Sequence, residues 1–376
     1  MIRSPYIVLF VCLFSLLNLP QKAVDNLRSL SVACVGPAWQ LLAKTPHVSI
    51  KNESAEKFLK LENQSLKTQI AAVQEWLQFD QRIEEQVEQY LSLNEQENEL
   101  YWRDFFQRRS EELAKLVKMQ LEALPATIIF RDPAFWSSSV WINIGESDNS
   151  KIGRKIIAKN SPVVCGSSLI GLVEYVGKSK SRVRLITDAG LVLSVRAIRG
   201  KVSDQEFMQV TNLFLDRIKA RKDLFNKKED FESFISILDS IQSKLSQAKR
   251  DLYLAKGQVM GSSSPLWRCK QTVLQGIGFN YDYPDEEGPA RDLRTGKYMN
   301  EKGELPEVAI LEKGDLLITS GMDGVFPPNL RVGVVSEVDD LDDGSYAYSL
   351  KAIPTAGDFN DLSEVFVLPP LCYELE

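Results

Sequence analysis

Residues 312–327 read EKGDLLITSGMDGVFP, and this stretch contains the pattern that decides the fold of its surroundings. Residues 316–319 are a short apolar run, which predicts a strand. Gly321 and Gly324 follow, and glycine adopts positive φ at little cost, before a pair of prolines stiffens the chain. The stretch therefore predicts a strand that ends in a tight turn with a rigid exit.

Short apolar runs on both sides of this stretch predict a chain rich in strands. The candidates are residues 126–130, 140–144, 156–158, 169–176, 182–187, 191–198, 330–338, 346–352 and 365–368. Alternate residues from Leu191 to Ala197 are all apolar, which is the period of a half-buried strand. We predict two small all-β barrel-like domains, over residues 125–202 and 265–376, the second with an exposed acidic loop over 279–307.

A long helical segment precedes the strands, over residues 53–124. The segment contains no proline, and apolar residues follow a 3-4 spacing at Leu59, Leu66, Ile70, Val73 and Leu77. This stripe is too narrow for burial in a globular core, so it predicts a coiled coil about 105 Å long. The apolar position that follows Leu77 is out of phase with the heptads, which predicts a discontinuity in the coiled coil at that point. The alternative is a helix that packs on its own domain.

Helical periodicity returns between the two predicted β domains. Apolar residues recur every three or four positions on either side of residues 226–228, which predicts an antiparallel helical hairpin over 203–256. Basic and acidic residues are nearly balanced there, so we interpret the charged positions as a solvated face. A Gly/Ser-rich linker closes the insertion at residue 264. The fold class is therefore α+β multidomain.

The N-terminus contains an apolar segment with no charged residue between Ser4 and Gln21. A helix over residues 5–21 would be just long enough to cross the hydrocarbon of a bilayer. A cleaved signal peptide is the alternative, although the small residues that resemble a cleavage region lie well beyond the apolar run. We predict a transmembrane helix. The charges on its two sides do not decide its orientation.

Composition excludes several classes of function. The net charge of −6 argues against general nucleic-acid binding. His47 is the single histidine, so sites that need two histidines, including those of metal-dependent wall endopeptidases, are excluded. The five cysteines contain no CxxC pair, and the disulfide state of four of them stays open: Cys34, Cys165, Cys269 and Cys372.

One catalytic hypothesis remains after these exclusions, a serine hydrolase site within residues 312–327. It would combine Ser320 with Asp315, Asp323 and the amine of Lys313. Serine and aspartate at strand ends more often cap turns, so we expect no catalytic, cofactor-binding or metal-binding residues.

Several runs together resemble one family, the bacterial rod shape-determining protein MreC family. They are residues 312–327, residues 169–177 with 181–188, residues 330–335, and residues 362–368. The order of anchor, coiled coil and paired β domains is also similar. Residues 273–278 resemble a short glycine-containing strand of the family. The hairpin looks like an insertion, and Asn329 stands where the family typically has glycine, a change that the left-handed conformation tolerates.

The resemblance implies a single-pass protein of the bacterial inner membrane, with its C-terminal bulk in the periplasm. Family members are non-enzymatic scaffolds that couple MreB filaments, with MreD and RodZ, to RodA and a class B penicillin-binding transpeptidase. We therefore expect self-association through the coiled coil and transpeptidase binding through the β domains. A periplasmic adaptor of an export pump is the alternative function, but adaptors usually place a helical hairpin between two halves of a lipoyl-like domain.

Overall fold

The computed structural model describes scattered helical positions between residues 63 and 83 (63, 66–67, 69–70, 72–74, 76–77, 80 and 83), and then most of the chain from residue 99 to residue 371. The continuous described ranges are 99–132, 135–221, 228–246, 252–262, 272–280, 309–341 and 344–371, together with residue 225. The predicted transmembrane helix at 5–21, most of the acidic loop and the disulfide candidates Cys34, Cys269 and Cys372 lie outside the described residues.

From residue 99 onward, the described chain alternates short strands with four α-helices. The helices are α1 (Glu99–Leu121), α2 (Glu146–Ile152), α3 (Lys201–Ala220) and α4 (Lys228–Ser246). The strands are β1 (Leu124–Arg131), β2 (Ser139–Ile142), β3 (Pro162–Cys165), β4 (Ser168–Val176), β5 (Ser181–Leu185), β6 (Val192–Arg199), β7 (Leu252–Gly261), β8 (Leu274–Asn280), β9 (Leu316–Thr319), β10 (Arg331–Val338), β11 (Tyr348–Pro354) and β12 (Glu364–Val367).

The strands close into two barrels, so the predicted barrel-like β units are confirmed. The first ring runs β1-β2-β5-β4-β3-β12 and returns to β1. The second runs β6-β7-β8-β11-β10-β9 and returns to β6. A parallel contact between Arg331 and Ser168 joins them. Every described strand has two neighbours, so the barrels offer no free edge in this part of the chain.

Each barrel includes one strand from the other half of the sequence, which corrects the predicted domain boundaries. β6 lies within the predicted first unit, 125–202, but pairs with β7 and β9 of the second barrel. β12 lies within the predicted second unit, 265–376, but closes the first barrel between β1 and β3. Alternation identifies a strand and its buried face, but it contains no information about which strand lies beside it.

Glycines allow the closest backbone approaches inside the barrels. A Cβ on Gly171 would lie 2.0 Å from the carbonyl oxygen of Arg184 on the paired strand. A Cβ on Gly257 would lie 2.6 Å from the ring of Phe279, which is fully buried. Any side chain at these two positions would displace backbone or core, so we infer that strand packing requires glycine there.

The helical segment before the barrels folds back on itself. The side-chain amide of Gln69 donates to the carbonyl of Gln120, 51 residues away, at 3.3 Å. The indole of Trp76 donates to Ser110, whose hydroxyl donates to Asp80. One straight helix would separate positions 69 and 120 by about 77 Å. The predicted length of about 105 Å for the segment 53–124 is therefore wrong, because the helical positions 69–80 and α1 pair antiparallel within the chain. The predicted coiled-coil dimer stays a prediction.

Two further predictions need correction. The predicted hairpin is present as α3 and α4, but the region 203–264 also contains β7, because Leu252–Gly261 pairs along its length with β6. Residues 156–158 form no strand. The Asn149 side chain accepts from the amides of Ile156 and Ile157 and donates to the carbonyl of Ile157, so this loop is bonded to α2 instead of a sheet. No helix in the described residues meets the length and hydropathy that a membrane span requires.

Candidate interaction surface

The turn predicted from residues 312–327 is stabilised by its own polar side chains. The Asp323 carboxylate accepts from the amides of Val325 and Phe326 at 3.0 Å, and from Ser194 on β6 at 3.3 Å. The Thr319 hydroxyl donates to the carbonyl of Pro327 and accepts from the amide of Leu330 at 2.9 Å. These bonds hold the loop closed beneath its exposed tip.

The candidate catalytic residues are not brought together for catalysis. Asp315 is buried and pairs with Arg199 through two bonds, of 2.7 and 2.8 Å. Asp323 caps the turn, and Ser320 accepts from the amide of Met322 at 3.4 Å. Each of these groups stabilises local backbone or packing. The described residues contain no group of three or more acidic, histidine or cysteine side chains suited to a metal ion.

Asn329 connects this loop to the helix that enters the barrels. It has a φ of 72°, the left-handed conformation that the sequence predicted for an asparagine in place of glycine. Its side-chain oxygen accepts from Arg109 of α1 at 3.3 Å, although the two residues are 220 positions apart. Leu116 and Met119 of α1 also pack in the main core. The loop therefore fixes the direction in which α1 leaves the barrels.

An exposed aromatic patch lies on the first barrel and was not found from the sequence. It consists of Phe135 and Trp136, which are 47% and 39% exposed, between β1 and β2. The guanidinium of Arg131 lies 5.1 Å from the centre of the Trp136 ring, within reach of a cation–π interaction. The indole nitrogen of Trp136 donates to Asn360 at 2.7 Å. We call Arg131, Phe135, Trp136 and Asn360 the aromatic patch.

Hydrogen bonds within the chain hold the side chains of the aromatic patch. Arg131 donates to the backbone carbonyls of Phe359 and Trp136, so its position over the ring is fixed from two sides. Burial lowers the pKa of this guanidinium, while the charge of Asp358 opposes that shift. The FW pair following Asp132-Pro133 was the available sequence signal, because exposed aromatic residues in a turn are unusual.

Cys165 is a free thiol at the end of β3. Desolvation raises the pKa of this thiol, and the neighbouring charge of Glu364 raises it further. A raised pKa keeps the group in the protonated, unreactive form at neutral pH. The sequence left the disulfide state of four cysteines open, and the structure shows that one of them, Cys165, is a free thiol.

We call the antiparallel pair formed by the helical positions 69–80 and α1 the stalk. A stalk and two closed barrels, in which Asp315, Asp323 and Ser320 make structural hydrogen bonds, are the architecture of a structural protein. A family model described as "Rod shape-determining protein MreC, barrel core" matches residues 128–230 and 284–369. The chain belongs to this MreC family, as the sequence predicted.

Solved MreC structures are among those similar to the chain. MreC from Listeria monocytogenes is 18% identical, with a TM-score of 0.38, over 72% of this chain and 92% of the other. MreC from Pseudomonas aeruginosa is 17% identical, with a TM-score of 0.36, over 65% and 98%. A complex between PBP2 and MreC from Helicobacter pylori matches at 13% identity and a TM-score of 0.32, over 65% and 97%. No curated protein sequence matches the chain.

Proposed function

We propose that this protein is a membrane-anchored periplasmic scaffold of the cell-wall elongation machinery, which maintains cell shape by binding a class B penicillin-binding transpeptidase. Membership of the rod shape-determining family supports the cell-shape role. The aromatic patch carries the binding part of the proposal, because tryptophan and arginine dominate the energetics of protein interfaces.

The aromatic patch has the properties of an anchor for a protein partner. Its Trp136 and Arg131 side chains are held by hydrogen bonds before binding, so little conformational entropy is lost when a partner covers them. It lies on a closed barrel whose described strands all have two neighbours, so the partner contacts side chains and does not add a strand.

The anchor and the stalk complete the proposal. A transmembrane helix at residues 5–21 would tether the chain to the inner membrane, with the barrels in the periplasm. The stalk presents Leu66, Ile70 and Leu77 on its exposed side, and we propose that these residues form the seam of a coiled-coil dimer. MreB filaments, MreD, RodZ and RodA would be coupled to the transpeptidase through this assembly. The scaffold would act by shifting the transpeptidase toward an active conformation.

The test is capture of the transpeptidase by the full-length protein in membranes, with Trp136→Ala and Phe135→Ala as variants. We expect Trp136→Ala to weaken binding about tenfold or more, because it removes the centre of the patch. Tyr346→Ala is the matched control, since Tyr346 is also an exposed aromatic residue but lies in the second barrel's β10–β11 connection. Circular dichroism verifies that each variant is folded.

Three results would contradict the proposal in different ways. Equal transpeptidase capture by Trp136→Ala and wild type would remove the aromatic patch from the interface. Capture of no transpeptidase by the wild-type protein would remove the scaffold function itself. Capture of an export pump or an outer-membrane channel would favour the adaptor function instead.

A further inference from the structure

The helical hairpin of α3 and α4 has an apolar face that no described residue covers. Phe207 and Phe214 on α3 are 54% and 46% exposed, and Ile237 on α4 is 54% exposed. Phe214 contacts Phe234 of α4 edge-on, with ring centroids 6.3 Å apart, and Ile241 on α4 is half-buried. We call these five residues the hairpin face.

The five residues lie on one side of the hairpin. At 3.6 residues per turn, Phe207 and Phe214 differ by about 20° around α3, and Ile237 and Ile241 by about 40° around α4. Thr211 and Leu215 on α3 and Leu238 on α4 are buried, so each helix turns a different side inward. Large apolar residues are therefore left over after the hairpin has formed its own interior, which is unusual for a surface in water.

We infer that the hairpin face is an interface between two copies of this chain. The spacing of its residues is self-complementary. When two α3 helices meet antiparallel across a two-fold axis midway between Phe207 and Phe214, each Phe207 lies opposite the partner's Phe214. The same operation on α4, with the axis midway between Ile237 and Ile241, places each Ile237 opposite the partner's Ile241.

One axis satisfies both helices, which is the observation that favours a second copy over an unrelated partner. The Gln242 amide donates to Asn212, so these two positions lie at about the same level of the hairpin. Phe214 and Phe234 contact each other, which sets a second level. In an antiparallel pair, the first tie puts the phenylalanine midpoint of α3 about 7 Å from the isoleucine midpoint along α4, and the second puts it about 2 Å away on the other side. The average of the two ties therefore puts the two midpoints within about 2 Å of each other in height. A two-fold axis perpendicular to both helices therefore passes through both midpoints.

The resulting assembly has the size and geometry of a stable interface. The helices have 20 and 19 residues. Each is about 30 Å long, and two packed helices offer a face of roughly 600 Å² per copy, or about 1,200 Å² for the pair. All neighbouring helices in such a four-helix bundle are antiparallel, which is the arrangement of up-down bundles and opposes their dipoles favourably. The inference stands on this geometry and does not depend on transpeptidase binding.

The experiment places the photo-crosslinking amino acid p-benzoylphenylalanine at position 207 of the full-length chain in living cells. The probe is aromatic, so it preserves the apolar character of the face. After irradiation, we expect an adduct between two copies, and mass spectrometry should locate the second attachment on the α3 peptide that contains Phe214. The same probe at Tyr346 is the control, because Tyr346 is 79% exposed and lies outside the hairpin face.

A second substitution tests whether the face itself is required. Ile237→Glu in the chain that has the probe at position 207 should reduce the adduct about tenfold or more, because it places a charge in the centre of the interface. Tyr346→Glu in the same chain should leave the adduct unchanged. Circular dichroism and limited proteolysis verify that the hairpin stays folded in both variants.

Each other outcome overturns the inference. An adduct between position 207 and the partner's position 207 would show a parallel arrangement and reject the two-fold axis described here. An adduct with a different protein would assign the face to that protein, and an adduct with lipid would assign it to the bilayer. No adduct, or an adduct that Ile237→Glu leaves unchanged, would show that the face does not mediate self-association. Dimerisation through the stalk alone would give no crosslink at Phe214.

Discussion

Arg199 at the end of β6 donates two hydrogen bonds, of 2.7 and 2.8 Å, to the two carboxylate oxygens of Asp315, which lies just before β9 and 116 residues further along the chain. Asp315 is 2% exposed. The same carboxylate accepts from the amide of Glu312, and Arg199 also donates to the carbonyl of Ala309. Arg199 is partly desolvated, but its hydrogen bonds to Asp315 and the charges of Asp315 and Glu312 raise its pKa.

Removing one partner of this pair should destabilise the second barrel. Asp315→Asn removes the buried partner of the guanidinium and leaves only the more exposed Glu312 near it, and Arg199→Met leaves a buried carboxylate without its cation. We expect each change to cost about 2–4 kcal/mol of unfolding free energy. Urea unfolding followed by tryptophan fluorescence measures the loss. Glu337→Gln is the matched control, since its partner Lys351 is exposed and we expect no measurable change. Equal midpoints for Asp315→Asn and Glu337→Gln would contradict the prediction.

Gly171 should not tolerate a methyl group. Gly171→Ala places a Cβ at 2.0 Å from the carbonyl oxygen of Arg184, so β4 and β5 must separate. We expect the first barrel to lose about 3 kcal/mol or more, measured by thermal unfolding. Gly153→Ala is the control, because Gly153 has a φ of 72° and open space around it and should cost only about 1 kcal/mol from backbone strain. A smaller effect at Gly171 than at Gly153 would reject the packing argument.

Asn329 should couple the stalk to the second barrel through its side chain. Asn329→Gly keeps the left-handed backbone but removes the acceptor of Arg109, so we expect faster amide hydrogen exchange in α1 with little change in β10. Asn329→Ala adds backbone strain of about 1 kcal/mol and should also loosen the turn. Identical exchange in α1 for wild type and Asn329→Gly would show that this hydrogen bond does not hold the stalk.

Cys165 should be alkylated slowly at neutral pH. Its pKa is raised by desolvation and by Glu364, and only the thiolate reacts, so the rate should rise at higher pH than for the same cysteine in the unfolded chain. Peptide mass spectrometry after iodoacetamide treatment at several pH values measures the rate. Glu364→Gln should move the profile to lower pH, whereas Asp361→Asn, another acidic change nearby in sequence, should not. A profile that matches the unfolded chain would contradict the prediction.

The stalk should form an antiparallel pair within one chain. In a chain whose native cysteines are replaced by serine, Gln69→Cys and Gln120→Cys should be joined within one chain by a short bifunctional maleimide crosslinker, because the side-chain amide of Gln69 reaches the backbone carbonyl of Gln120 at 3.3 Å. Gln69→Cys combined with Arg103→Cys is the control, since position 103 lies about 25 Å further along α1. Mobility on a non-reducing gel separates intramolecular from intermolecular products. Exclusively intermolecular products for the 69–120 pair would favour the extended rod.

Local patterns determined the strands and the turn chemistry of this protein. The alternation from Leu191 to Ala197 identified β6, and the two glycines before Pro327 identified the turn after β9. Both signals arise from short-range physics, because the side chains of a strand alternate between its two faces and glycine adopts positive φ without steric strain. The family motif depended on the same residues, which explains why the sequence alone was sufficient to place the chain in its family.

Tertiary structure decided the partners of these elements. β12 closes the first barrel against β1, and the Gln69–Gln120 contact turns a predicted rod into a hairpin. The aromatic patch also depends on a distant residue, since Asn360 lies 224 positions from Trp136. An amphipathic pattern specifies which face of an element is buried, but several neighbours can bury it equally well. The choice among them depends on shape and hydrogen bonding between segments that are far apart in sequence, and no local pattern contains that information.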